Sequence, residues 1–320
     1  VPGIDTTGLV TGNLVRIERS SIHDGRGLRT VIFLKGCPLH CPWCSTPESQ
    51  NFSPEKGYDM DLCRACLRCI GVCPVKAITP ADDHFSVVTD REKCIACFSC
   101  YEVCPSSAVK KYGKIMSVDE VMEEISKDEI FYFHSGGGVT ISGGEPLCQA
   151  KFCSGVFKEC RRIGVHTALE SSLQAEYSNL EALLPFLDHL YVDIKHMNDT
   201  LHDLWLGMSN ETILANIEKA DQSANQFSIA VRIPIIPGFN DDSGNLESTL
   251  NFCSKLKKII EIELLPYHRL GSNTYNLLNR EYGCRNLQPP SASRMQELVQ
   301  FMQSRGSAIP VRAAGSISAE

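Results

Sequence analysis

The stretch TVIFLKGCPLHCPWC, residues 30–44, runs from an apolar segment straight into three cysteines. Its first half reads as a strand, and the cysteines follow at once on a loop at that strand's carboxyl end. Upstream, NLVRIER (13–19) reads as a second strand, and the Gly-rich DGRG (24–27) as the turn between the two. In parallel α/β sheets function gathers at the carboxyl ends of strands, so Cys37, Cys41 and Cys44 stand where chemistry is expected.

Downstream the character changes twice. Residues 55–113 hold eight cysteines, short apolar patches and no long helical period, and read as an insertion. Strands and helices then alternate. SVDEVMEEISKDEI (117–130) opens on Ser117 with Glu120 three residues later, a capping-box start. GGVTISGG (137–144) reads as a buried strand, and CQAKFCSGVFKECRRIG (148–164) as a helix with Phe152, Val156, Phe157, Cys160 and Ile163 on one face. HTALESS (166–172), LYVDIKH (190–196), SIAVRIPII (228–236), IIEIELLPY (259–267) and AIPVRAA (308–314) read as strands. Helices are expected around 198–222, 243–258 and 291–304. The alternation predicts a parallel sheet in an α/β fold.

With 320 residues, 43% of them hydrophobic, the chain is long enough for a sizeable core. A net charge of −7 and no long Lys/Arg block argue against a nucleic-acid partner. No apolar run reaches the ~18 residues of a membrane span, and VPGIDTTGLVTG (1–12) lacks the features of a signal peptide. A cytoplasmic protein is expected. Sixteen cysteines in such a chain point to metal or redox chemistry more than to disulfides.

Thiolates at the spacing of Cys37, Cys41 and Cys44 suit tetrahedral zinc, with His40 between them. A structural zinc site would want a fourth Cys or His close by, and the nearest cysteine begins a separate group; a 4Fe-4S cubane, on which three thiolates leave one iron open to a small molecule, fits the triplet. The runs CRACLRCIGVCP and CIACFSCYEVCP each follow C-x2-C-x2-C-x3-C-P. That is the spacing of two-cluster bacterial ferredoxins, in which the fourth cysteine of one run ligates the other cluster. Cys63, Cys66 and Cys69 are therefore paired with Cys104, and Cys94, Cys97 and Cys100 with Cys73; a zinc ribbon is the alternative. Cys148, Cys153, Cys160, Cys253 and Cys284 are read as ordinary free thiols, with Cys153 and Cys160 on the buried face of their helix.

C-x3-C-x2-C with Trp43 before the last cysteine resembles the radical S-adenosylmethionine enzymes. Together with DGRGLRTVIFLKG, SGGGVTISGGEP, LESS, YVDIKH, VRIPIIPGFND and LLPYHRLG in that order, it resembles the activating enzymes that install glycyl radicals, specifically those with a two-cluster insert. The resemblance implies a partial (β/α)6 TIM-like barrel over 1–54 and 114–320, with a ferredoxin-like insertion over 55–113. It implies three 4Fe-4S clusters, S-adenosylmethionine and a possible monovalent cation. The implied reaction is reductive: one electron cleaves the sulfonium, and the 5'-deoxyadenosyl radical takes hydrogen from a backbone glycine of a large partner enzyme. A flavodoxin- or ferredoxin-type electron donor, auxiliary clusters that relay electrons, an anaerobic host and a monomeric state are also implied.

The same resemblance assigns the cofactor pocket. Cys37, Cys41 and Cys44 hold the catalytic cluster, and Trp43 lies beside the cofactor. Gly143, Gly144 and Glu145 face its amino group. Glu170 with Ser171, and Asp193 with Lys195, line its methionyl end, and Arg232 and His268 make further contacts. Arg26 in place of a usual proline, Thr46 in place of an Asn, and Glu170 in place of an Asp depart from the pattern. A radical enzyme acting on a small molecule or peptide, and a multi-cluster electron-transfer protein, are the alternative readings.

Overall fold

The computed structural model describes residues 9–82 and 86–314. The stretch at 1–8 and the outer limits expected for the barrel, residues 1 and 320, lie outside them. In chain order the strands are β1 (Thr11–Ser21), β2 (Arg29–Leu34), β3 (Glu55–Tyr58), β4 (Ile78–Pro80), β5 (Val87–Thr89), β6 (Val109–Tyr112) and β7 (Lys114–Ser117). There follow β8 (Gly138–Gly143), β9 (His166–Ser171), β10 (His189–Asp193), β11 (Ser228–Ile235), β12 (Ile259–Pro266) and β13 (Val311–Ala313).

Nine of these form one open sheet in the order β13-β12-β11-β10-β9-β8-β2-β1-β7. From β2 to β13 every neighbouring pair is parallel, as the alternation of strands and helices requires. β1 is antiparallel to β2 and to β7, the short strand that leads back from the insert. The sequence-based helices appear within a few residues of expectation, at Ala150–Arg162, Ser243–Cys253 and Ala292–Gln303. The stretch 198–222 divides into two helices, Asp199–Leu206 and Glu211–Gln222. The capping box forms: Glu120 N–H donates to Ser117 Oγ at 3.2 Å, and Ser117 N–H to Glu120 Oε2 at 2.7 Å.

The two faces of the sheet differ. Val139, Ile141, Leu169, Leu190, Val192, Val231, Ile233 and Ile262 join one core with the helices, including Phe152, Val156, Phe157 and Cys160 of the helix Ala150–Arg162. Each fully buried side chain of this kind contributes about 1.5–3 kcal/mol. The alternate residues face the other way and are largely polar: Thr140, Ser142, Glu170, Tyr191, Asp193, Arg232 and Glu263.

Between β2 and β7 the chain leaves the main sheet. β3 pairs antiparallel with β6 and brackets the two four-cysteine runs, and β4 pairs antiparallel with β5 in the segment between them. The runs are built alike. Ala65 and Ala96, Leu67 and Phe98, and Lys76 and Ser107 occupy matched positions and share left-handed φ values of 50–62°.

Candidate iron–sulfur and cofactor site

The loop after β2 is held at both ends. Gly36 N–H donates to Ser49 O and Cys37 N–H to Gln50 O at 3.0 Å, so the cysteine loop closes on itself. Lys35, with no exposed surface, donates through Nζ to Glu48 O at 2.6 Å and to Glu55 at 2.8 Å. Arg280 donates to Pro47 O at 2.8 Å and also pairs with Glu55. From above, Tyr267, Tyr275 and Tyr282 pack with Trp43, Leu39, Phe239 and the three cysteines. Gly271 lies so close that a Cβ would stand 2.6 Å from Cys44 O.

Burial pushes the thiols of Cys37, Cys41 and Cys44 upward, Cys41 to about 12. Lys195 opposes the effect at Cys41. Three thiols gathered here need more positive charge than one lysine to ionise, which a bound metal centre supplies. Lys195 is itself buried and donates to Asp193 at 2.9 Å. Burial disfavours its charge, but Asp193, with the nearby Cys41 and Cys37 sulfurs, more than offsets this and raises its pKa.

Glu170 and Arg232 form a salt bridge on the polar face of the sheet. Arg232 also donates through Nε to Glu263 at 2.9 Å and lies over the Tyr191 ring, 3.9 Å from its centroid. Burial opposes the guanidinium charge, and Glu170 and Glu263 restore it. Ser171 does not join Glu170. Neighbouring residues of a strand face opposite sides, so Ser171 points to the helix side and the expected side-chain pair does not form. The hydroxyl partner of Glu170 is Ser142, at 2.8 Å.

Glu145 lies behind this arrangement. Its carboxylate is fully buried and accepts from Ser171 Oγ, from Ser172 N–H at 2.9 Å and Oγ at 2.6 Å, and from Leu147 N–H at 3.1 Å. It fastens the end of β9 to the turn after β8. Gly143 and Gly144 bring that turn against the cysteine loop: Gly144 and Glu145 N–H groups donate to Leu34 O and Gly36 O, both at 2.8 Å. A Cβ at Gly144 would stand 2.3 Å from Gly36 O. Trp43 packs against Phe239, with ring centroids 5.0 Å apart, and His268 is exposed on the loop after β12.

Thr46 and Arg26 have local partners. Thr46 Oγ1 lies 4.0 Å from Cys44 Sγ and 3.2 Å from Ser49 Oγ, at the end of the loop. Arg26 is exposed, and its carbonyl accepts from Arg29 at 3.2 Å. All sixteen cysteines are free thiols. Cys153, Cys160, Cys253 and Cys284 are buried, whereas Cys148 is exposed.

The insert holds two hollows. One is lined by Cys94, Cys97, Cys100 and Cys73, the other by Cys63, Cys66, Cys69 and Cys104. Backbone N–H groups meet the sulfurs: Ala65 donates to Cys63 at 3.4 Å and Ala77 to Cys73 at 3.2 Å. At Cys97 the Ser99 hydroxyl and backbone hold the thiol below its ordinary value. Sequence reasoning missed Lys35, Glu55, Asn240 and Gln149, whose partners lie far along the chain. Gln149 bonds Asn13 at both its amide atoms and Lys35 O at 2.8 Å.

Comparison with known proteins gives three family matches: the Radical SAM superfamily over residues 91–252, a 4Fe-4S dicluster domain over 55–105 and a 4Fe-4S single cluster domain over 23–71. The chain is 42% identical to the isethionate sulfite-lyase activating enzyme of Oleidesulfovibrio alaskensis, over 85% of this chain and 88% of that one. It is 41% identical to the (2S)-3-sulfopropanediol dehydratase activating enzyme of Klebsiella oxytoca, over 92% and 95%. A radical SAM methyltransferase from Sphaerobacter thermophilus shares the fold, with a TM-score of 0.52 at 14% identity over 96% of this chain and 74% of that one.

Proposed function

The chain belongs to the radical S-adenosylmethionine superfamily and, within it, to the activating enzymes of glycyl radical enzymes, and from that premise we propose how its residues divide the work. The activity is reductive cleavage of S-adenosylmethionine, followed by removal of a hydrogen from a backbone glycine of a partner enzyme. In this reading Cys37, Cys41 and Cys44 hold a 4Fe-4S cluster that supplies the electron. The observation that carries the assignment is that the three-cysteine loop after β2 meets Lys195, after β10, at the carboxyl ends of parallel strands. Among the described residues no three His, Cys, Asp or Glu side chains converge as chelation of a single ion requires. A cubane asks for less convergence, because each thiolate holds a different iron.

Lys195, charged and steadied by Asp193, is assigned to the cofactor's carboxylate, a charge-assisted bond. Arg232, clamped between Glu170 and Glu263, presents a fixed guanidinium on the same face of the sheet. Gly143 and Gly144 are assigned to the amino group through their carbonyls, since the Gly144 N–H is taken by Leu34 O at the end of β2. Glu145 and Ser171 then act as positioning residues behind the pocket, and Trp43 and His268 as its walls. Glu170 remains the candidate carboxylate for a monovalent cation.

The polar-faced sheet is read as the partial barrel, and 55–113 as the insertion domain. The two four-cysteine hollows support two further 4Fe-4S clusters with crossed ligation, making three in all. A flavodoxin- or ferredoxin-type donor, a monomeric state and a cytoplasmic setting complete the reading. Among the described residues no helix is long and apolar enough to cross a membrane.

The test is chemical. Iron- and sulfide-loaded protein, given S-adenosylmethionine and a strong reductant, is expected to form 5'-deoxyadenosine, and the Cys41→Ala variant to form none. Equal yields from the two would remove the three-cysteine site from the reaction.

A further inference from the structure

Resting on the reading of the insert as a two-cluster relay, we propose that its hollows are used in a fixed order. The hollow of Cys63, Cys66, Cys69 and Cys104 is the outer station, where a small acidic one-electron carrier protein docks. The hollow of Cys73, Cys94, Cys97 and Cys100 is the inner station, next to the three-cysteine loop.

The ladder of β3 and β6 measures the distance. Its register pairs Glu55 with Tyr112, Lys56 with Lys111, Gly57 with Lys110 and Tyr58 with Val109. Glu55 is bolted to the main body by Lys35 and Arg280, which also grip Glu48 O and Pro47 O in the cysteine loop. One residue further, Lys56 lines the Cys94 hollow. Phe98 of that hollow lies against Lys111, the ladder partner of Lys56, with Nζ 4.8 Å from the ring centroid. Two residues further again, Tyr58 and its partner Val109 line the Cys63 hollow. At ~3.3 Å per strand residue, the strand position that lines this second hollow lies about 7 Å farther along β3 from Glu55 than the one that lines the first. Arg91 agrees with the order: it donates to the Lys56 carbonyl, and its charge acts on Glu55, Cys94 and Arg280 together.

Exposure alone does not order the hollows, because Cys66 and Cys97 both reach the surface. The rim does. Arg64 and Arg68 line the Cys63 hollow, and both are exposed, flanking the exposed Leu67. Two guanidiniums beside an apolar side chain favour a partner whose redox edge is ringed by carboxylates, and they steer its approach. One electron leaves the carrier's reduced flavin or iron–sulfur centre, passes through the outer and inner stations, and is consumed in breaking the cofactor's carbon–sulfur bond. No atom or proton moves until that cleavage.

The test uses loaded holoenzyme. The double variant Cys63→Ala, Cys66→Ala removes two of the four ligands of the outer cluster, and Cys97→Ala, Cys100→Ala two of the inner, too few left in either hollow to hold it. After full reduction, electron paramagnetic resonance reads the magnetic coupling between the catalytic cluster and the auxiliary one that remains, which falls steeply with distance. Marked broadening is expected in the Cys63, Cys66 double variant, and its loss in the Cys97, Cys100 double variant. Equal or reversed coupling overturns the order. Wild-type protein holding iron for fewer than three clusters would instead overturn the two-cluster reading of the insert. Should a cysteine variant not fold, the surface double variant Arg64→Glu, Arg68→Glu decides the docking face. With reduced flavodoxin as donor its KM should rise at least tenfold, while 5'-deoxyadenosine formation driven by dithionite stays unchanged. An unchanged KM would overturn the outer station.

Discussion

Asn240 donates through Nδ2 to the carbonyl oxygen of Lys195 at 2.8 Å, from a side chain wholly screened from solvent. The same nitrogen reaches Pro234 O at 2.7 Å, and Oδ1 accepts from Ile236 N–H at 2.8 Å. One amide thus joins the segment carrying Lys195 to the end of β11, and so sets where the lysine stands relative to Cys41.

Asn240→Ala leaves those buried backbone groups without partners. A loss of about 2–4 kcal/mol in folding stability is expected, read from the urea midpoint. A variant within about 0.5 kcal/mol of wild type, the spread of a neutral surface change, would show that the amide is not a structural bolt.

Lys195→Ala removes the charge assigned to the cofactor carboxylate. Binding of S-adenosylmethionine should weaken by about 1.5–3 kcal/mol, roughly 10- to 150-fold in Kd, by equilibrium dialysis. Iron content should be retained. An unaltered Kd would leave Lys195 as no more than the partner of Asp193.

Gly144→Ala forces a methyl group toward Gly36 O, to which there is no room. The cysteine loop or the turn after β8 must shift. Iron incorporation at the three-cysteine site should fall, and the melting temperature should drop with it. Full iron content with an unshifted Tm would mean that the two backbones can part freely.

His189 supplies a pH dependence. Burial and the neighbouring His166 hold its pKa at about 4, well below the ordinary 6.5. Its Nδ1 lies 2.6 Å from Ser228 Oγ and its ring meets Tyr191 edge-on at 4.3 Å, with Arg29, Arg232 and Glu261 also nearby. The unfolded chain takes up the proton near pH 6.5, the folded one near 4. The stability this ring contributes is therefore whole above pH 6.5 and is lost as pH falls through 4, reaching a loss of about 2 kcal/mol by pH 5. Between pH 7 and 5 the His189→Asn variant should lose less stability than wild type. Parallel curves for the two proteins would rule out His189 as the source.

Much of the fold was legible because local signals agreed with the global arrangement. The capping box at Ser117, the apolar face of Phe152, Val156 and Phe157, and the strand–helix alternation each rest on residues a few positions apart. The site was legible less evenly. The resemblance pairs Glu170 with Ser171, yet adjacency within a strand sends side chains to opposite faces, and the hydroxyl beside Glu170 is that of Ser142 on the next strand. Asn240, Gln149 and Glu55 act on residues 45, 136 and 225 positions away, and no local spacing announces such bonds. Glu145 reads as a pocket residue from its motif, but its burial against Ser171 and Ser172 appears only once β8 and β9 lie side by side.

The central claim is that a hydrogen leaves a backbone glycine of a partner protein. Glycyl radical enzymes grown on glycine deuterated at the α carbon can be offered to the loaded, reduced protein with unlabelled S-adenosylmethionine, and the 5'-deoxyadenosine examined by mass spectrometry. With the true partner, one deuterium should appear in the product together with a glycyl radical signal. Efficient cofactor cleavage that never transfers deuterium from any such enzyme, but transfers it from a labelled small molecule or free peptide, would contradict the account.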